Sequence, residues 1–174
     1  MPHGVSRRGR PAHRRMSTDD WILALHLLAA FAYVGALIGF WAMLVAAWSA
    51  ARPSELLAVF RLNPFLNAAV AVGGVGTLVF GIWLAISLDA YQVWDGWVLA
   101  AIVLWVVAGG AGQGAGVEYA RAGERATQLL GTAGDHPDPE LLRLIRTRRG
   151  LALQAVATVA SVLILIDMVW KPGA

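Results

Sequence analysis

A single histidine interrupts the first long apolar stretch of the chain. Residues 21–48, WILALHLLAAFAYVGALIGFWAMLVAAW, contain no Lys, Arg, Asp or Glu, and His26 stands near their start. Imidazole can ligate haem iron, copper or zinc, and it can carry a proton near neutral pH. An ionisable group inside a membrane span is a functional-site candidate by default. Asp167 is its natural counterpart, three residues before Trp170 in the last apolar run. First and last helices of opposite chain direction bring these two side chains to similar depth. Three chemistries follow. His26 can donate a structural hydrogen bond to Asp167 or to a carbonyl. His26, alone or with Asp167, can hold a metal or a haem. The two can also exchange a proton. Of the methionines, Met43 lies about 25 Å along the same helix from His26, at about 1.5 Å per residue, so only Met168 is near enough to be a soft partner. The cofactors to weigh are haem b and copper. Bis-histidine ligation of haem needs a second chain, because no other histidine falls inside a span.

A second polar set is Asn67, Gln113 and Gln154, each about four residues from one membrane face. They suit an interhelical hydrogen-bonded cluster, at about 0.6 kcal/mol per bond, or the lining of a substrate path. With no cysteine, disulfides, thiolate catalysis and iron–sulfur sites are excluded. No nucleophile–base set, phosphate loop or dinucleotide fingerprint occurs. The phrase GGAGQGAG lies within an apolar run, where helix packing explains it better than phosphate binding. Enzymatic activity therefore has little to point to, and a non-enzymatic accessory or structural subunit is the leading expectation. A haem- or copper-handling protein centred on His26, with redox chemistry, is the alternative.

These residues need elements to carry them, and the composition says which. The 174 residues are 58% hydrophobic and 14% charged, with net charge +3. Soluble domains carry about 25% charged residues. The expected fold is an all-α polytopic membrane protein, a four-transmembrane-helix bundle, with spans near 21–48, 64–88, 96–116 and 151–170. The first run would be a helix of about 42 Å against a hydrocarbon core of about 30 Å. Residues 1–20, with five Arg, two Pro and two Gly, read as a disordered tail. Met16 is an equally good initiator, since Ser17, Thr18, Asp19 and Asp20 then supply helix-cap chemistry before Trp21. Residues 21–173 form one transmembrane domain. Residues 49–62 read as a polar loop and 89–95 as a tight one. In the charged connection 117–150, residues 118–130 continue the third helix. Asp138 and Pro139 then start a helix that runs unbroken through Arg143, Arg146, Arg148 and Arg149 into the last span.

Partners follow from the same pattern. The lipid bilayer is the first, and the arginines at 143, 146, 148 and 149 suit anionic lipids rather than nucleic acid. Small residues four apart, at Gly35 and Gly39, Gly110 and Gly114, Gly112 and Gly116, and Ala157 and Ser161, suit close packing within the chain, a homodimer or a larger membrane complex. Counted from Met16, the basic residues of 49–62 and 117–150 outnumber those on the other side by eight to one. That balance predicts a plasma-membrane (inner-membrane) protein with both termini outside and these loops cytoplasmic.

The opening Trp21 to Leu28 with His26 and Gly35, the phrase Gly81-Ile-Trp-Leu, and Met168-Val-Trp-Lys171-Pro172-Gly173 resemble an uncharacterised family of four-helix bacterial membrane proteins, known only as predicted integral membrane proteins. The chain is loosely similar to the copper-resistance protein D group and to the bacterial membrane protoporphyrinogen oxidase. In the oxidase, a first-helix histidine works with an intramembrane lysine and is associated with haem. The resemblance implies that His26 takes the histidine's place. This chain has no intramembrane lysine, which speaks against the oxidase reaction, and it offers fewer His and Met ligands than copper-handling proteins use.

Overall fold

The computed structural model describes residues 17–87 and 94–171. The tail before Ser17, most of the connection at 89–95, and Pro172 to Ala174 lie outside them. Six helices make up the described residues, without a strand among them. They are α1 (Thr18–Ser49), α2 (Pro53–Phe60), α3 (Asn63–Ser87), α4 (Gly96–Thr132), α5 (Pro139–Ile145) and α6 (Arg148–Trp170). Four of them, α1, α3, α4 and α6, carry the four stretches long and apolar enough to cross a membrane.

α1 begins before the apolar run. Ser17 Oγ accepts from the Asp20 N–H at 3.2 Å, and Asp20 Oδ2 accepts from the Ser17 N–H at 2.8 Å. This reciprocal box satisfies two first-turn donors, and Asp19 and Asp20 complement the helix dipole there. The 32 residues of α1 reach about 48 Å, so the helix overhangs a bilayer of about 30 Å. α1 packs along α3, and α4 along α6, which makes two helical hairpins.

The hairpins are tied by hydrogen bonds. Ser161 Oγ–H donates to Ala157 O at 2.7 Å, so the Tyr33 hydroxyl at 3.0 Å is the donor to Ser161. Trp41 Nε1–H donates to Thr158 Oγ1 at 2.9 Å, whose own hydroxyl bonds the Gln154 carbonyl. Trp105 Nε1–H donates to Gly74 O at 3.2 Å, linking α4 to α3. Ser161 and Thr158 thus each cap a carbonyl on their own helix and receive an aromatic donor from another, so these polar hydrogens are satisfied without water.

The expected polar loop at 49–62 instead contains α2. Pro53 occupies its first turn, and Glu55 Oε2 accepts from the N–H groups of Ala51 and Arg52 at 2.8 and 3.3 Å. The extension of the third span is real, since α4 runs on to Thr132. The unbroken helix from Asp138 into the last span is not. Arg146 and Thr147 separate α5 from α6, with Thr147 extended at φ −61°, ψ 123°. The cause is burial. Leu141 and Ile145 are 2% and 1% exposed, packed with Ala47, Ala50, Leu56, Ala122, Ala126 and Leu129. A straight helix would carry α5 along the axis of α6 and away from that core. The break releases the Ile145 carbonyl, and Trp48 Nε1–H donates to it at 3.3 Å. This end, holding α2, α5 and the far end of α4, is the loop end. The opposite, terminal end holds the start of α1 and the end of α6.

Candidate functional site at His26

α1 and α3 cross almost backbone to backbone. A Cβ built on Gly73 would lie 2.7 Å from the Tyr33 nitrogen and 2.8 Å from the Ala29 oxygen. One on Gly76 would lie 3.0 Å from the Ala29 Cβ. Two turns further on, at Gly81, the same space is taken by the His26 ring, whose Cε1 would be 3.1 Å away. Glycine at 81 is what lets the imidazole approach α3 so closely.

That approach fixes the ring. His26 Nδ1 is 3.0 Å from the Thr77 carbonyl oxygen. A carbonyl only accepts, so Nδ1 carries a hydrogen, and in the neutral ring Nε2 holds the lone pair. Metal-ligating histidines are oriented in the same way, by a bond from the other ring nitrogen to a carbonyl or carboxylate. The Thr77 hydroxyl is engaged elsewhere, donating to Gly73 O at 2.7 Å.

No hydrogen bond or ion pair joins Asp167 to His26 among the described residues, and the bond the ring makes is to Thr77. Asp167 is half-buried, and its Oδ2 is buried with no hydrogen-bond partner there. Met168 is half-buried beside it, whereas Met43 is buried near the loop end. No group of three His, Cys, Asp or Glu side chains among the described residues is placed to hold a metal ion. His26 offers one ring nitrogen, Nε2, as a ligand; a three-ligand copper or zinc site does not fit these residues.

No hydrogen bond joins the members of the second polar set among the described residues. Asn67 is exposed and donates to Asn63 Oδ1 on its own helix at 3.2 Å. Gln113 is exposed on α4, and Gln154 is buried at 7% exposure. What joins the helices through side chains is a set with its own signal in the sequence: Tyr33, Trp41, Trp105, Thr158 and Ser161. Aromatic residues with a polar handle, and Ser or Thr inside spans, were the available signal.

Outside the spans, Asp135 accepts from the Ser54 N–H at 2.9 Å and from the Ser54 hydroxyl at 2.6 Å. These bonds, with a smaller pull from Arg52, hold its carboxyl below the usual carboxylate range. They clip the segment after α4 onto the start of α2.

No curated protein and no solved structure matches the chain. The extent of the spans, the tight α1–α3 crossing and the histidine upon it all fall within residues 20–172. Those residues match the family described as predicted integral membrane protein (DUF2269), and the chain belongs to that family.

Proposed function

We propose that the protein is a non-enzymatic accessory or structural subunit of a membrane assembly, with a second copy or another membrane protein docking on the outer face of α4. Gln113 carries this reading. It is exposed, and it has no hydrogen-bond partner among the described residues. Around it, a Cβ built on Gly109, Gly110, Gly112 or Gly116 would meet nothing within 4 Å. An unbonded amide is costly in hydrocarbon, and small residues that let backbones approach are the usual surface of helix association in bilayers. The test is native mass spectrometry of protein extracted from its own membranes into lipid nanodiscs. A dimer or a stoichiometric partner is expected, released by Gln113→Leu. A wild-type monomer without partner overturns the reading.

The chain's placement belongs to the same proposal. It would lie in the plasma (inner) membrane, with termini outside and 49–62 and 117–150 in the cytoplasm. Arg143, Arg146, Arg148 and Arg149 would meet anionic headgroups there. Labelling of Ala133→Cys from outside intact cells would reverse the orientation; no other cysteine competes.

A second reading, haem b or copper at His26, is favoured by the free Nε2. The Tyr33–Ser161 bond sets the register of α1 against α6. His26 lies seven residues from Tyr33 and Met168 seven from Ser161, each toward the terminal end. Register therefore brings an imidazole and a thioether to one level, a ligand pair suited to haem iron or cuprous ion. A bound haem would supply one-electron chemistry, with His26 as an axial ligand. An absorption spectrum decides it. A Soret band lost in His26→Ala supports this reading, and a colourless, copper-free protein excludes it.

A further inference from the structure

We propose that the break between α5 and α6 seats one anionic phospholipid, its phosphate on Arg146 and its upper acyl chain along Trp48 and Leu151. This rests on the reading that the arginines of 143–149 meet anionic headgroups, and it deepens that reading by assigning a seat.

The break leaves a cavity of about 350 Å³ lined by Trp48, Arg146, Thr147 and Leu151. That volume falls within the usual range of small-molecule sites, about 300–1,000 Å³. Its walls are graded. Trp48 closes the apolar run of α1 and Leu151 opens that of α6, so both mark the edge of the hydrocarbon. Arg146 and Thr147 lie on the polar side of that edge. Such a gradient matches a lipid at the level of its phosphate and first methylenes. An acidic protein segment would leave the apolar wall unused.

Charge points the same way. All but one of the carboxylates near this end are already engaged, the exception being Glu124 on the exposed side of α4. Glu118 pairs with Arg121 at 3.2 Å and Arg149 at 3.5 Å, and Arg125 takes Asp138 at 3.3 Å and Glu140 at 3.0 Å. Glu55 bonds the backbone of Ala51 and Arg52, and Asp135 bonds Ser54. Arg143, Arg146 and Arg148 are left without a carboxylate among the described residues. Arg146 is also held in place, because its Nη2 donates to the Trp48 carbonyl at 3.4 Å. Guanidinium has five N–H donors, so that one bond orients the fork and leaves the others for two phosphate oxygens. The Thr147 hydroxyl, without a partner among the described residues, adds a neutral donor.

The experiment is native mass spectrometry of the detergent-purified full chain mixed with phosphatidylglycerol or phosphatidylcholine. One tightly retained phosphatidylglycerol is expected. Arg146→Gln should weaken its retention about fivefold, the effect of removing one basic group at an anionic surface. Arg146→Lys should restore part of it, since a point charge replaces a bidentate fork. Arg61→Gln should change nothing. Leu151→Trp keeps every charge but fills the seat, and it should also weaken retention, which covers the case in which Arg146→Gln fails to fold. Equal losses for Arg143→Gln, Arg146→Gln and Arg148→Gln would overturn the seat while leaving diffuse headgroup contact standing. No preference for phosphatidylglycerol over phosphatidylcholine would overturn both. A stoichiometric acidic protein retained through Arg146 in place of lipid would also overturn it.

Discussion

Leu56, Leu141, Ile145 and Pro53 are the largest fully buried side chains among the described residues, and all four lie at the loop end. The spans bury mainly small residues, such as Ala36, Gly73, Gly74, Ala108, Ala111, Ala115, Ala157 and Ala160, while Leu28, Phe31, Val72 and Val103 point outward. The difference lies in the solvent. At the loop end, apolar area leaves water when α2 and α5 close on α4, so Leu and Ile are worth burying. Within lipid the same side chains gain little by leaving the surface. Contact there depends on close approach and on hydrogen bonds between helices. One chain therefore carries a small water-type core above a bundle tied by glycines and single polar bonds.

This contrast can be broken most directly by truncation. Leu56→Ala should cost about 3 kcal/mol, because it opens a cavity in a closed core. Leu28→Ala, at a side chain 66% exposed on α1, should stay within about 0.5 kcal/mol. Detergent-driven unfolding in mixed micelles measures both. Similar losses at the two sites would dissolve the distinction between the regions.

Next in size is the α1–α3 crossing. Gly73→Ala should cost about 2 kcal/mol, since backbone rather than a flexible side chain stands 2.7 Å from the new Cβ. Gly35→Ala, with nothing within 4 Å, should be neutral or slightly stabilising in the same assay. The hydrogen bonds between hairpins should be smaller still. Tyr33→Phe should lose about 0.6 kcal/mol, the average for such bonds in membranes, and a loss several times larger would mean that the hairpins depend on that bond alone.

The smallest effect is expected at Asp135, a surface carboxylate. Its value is lowered in the folded chain, so the clip to Ser54 contributes above the ordinary carboxylate value of about 4 and is lost as pH falls through the lowered one. Hydrogen exchange of residues 133–138 should rise on that acid limb. In Asp135→Asn the exchange should be raised already at neutral pH and show no such limb.

The spans were legible because long uninterrupted apolar runs have no other stable form in a bilayer. α4 beyond residue 116 was legible from composition. The short helix α2 and the break at Arg146 were not, although Pro53 with Glu55 and Asp138 with Pro139 are visible starts. What decides them is where Leu56, Leu141 and Ile145 find cover, and that is tertiary. His26 stood out by type, but its partner did not. A backbone carbonyl has no sequence signature, and the rotation of a uniformly apolar helix cannot be read from its residues. For the same reason only half of the Gly35 and Gly39 pair packs as expected: a Cβ on Gly39 would lie 2.6 Å from Leu66 of α3, Gly35 is open, and the approach of backbone to backbone falls at Gly73.

The central claim is that the open face of α4 receives another helix. The chain has no native cysteine, so single replacements can be cross-linked in native membranes without background. Gly112→Cys, beside Gln113, should give a discrete product when labelled with a photoactivatable maleimide and irradiated, and Val72→Cys, 73% exposed on α3, should give none. No product at Gly112→Cys, or equal products at both positions, would contradict the account.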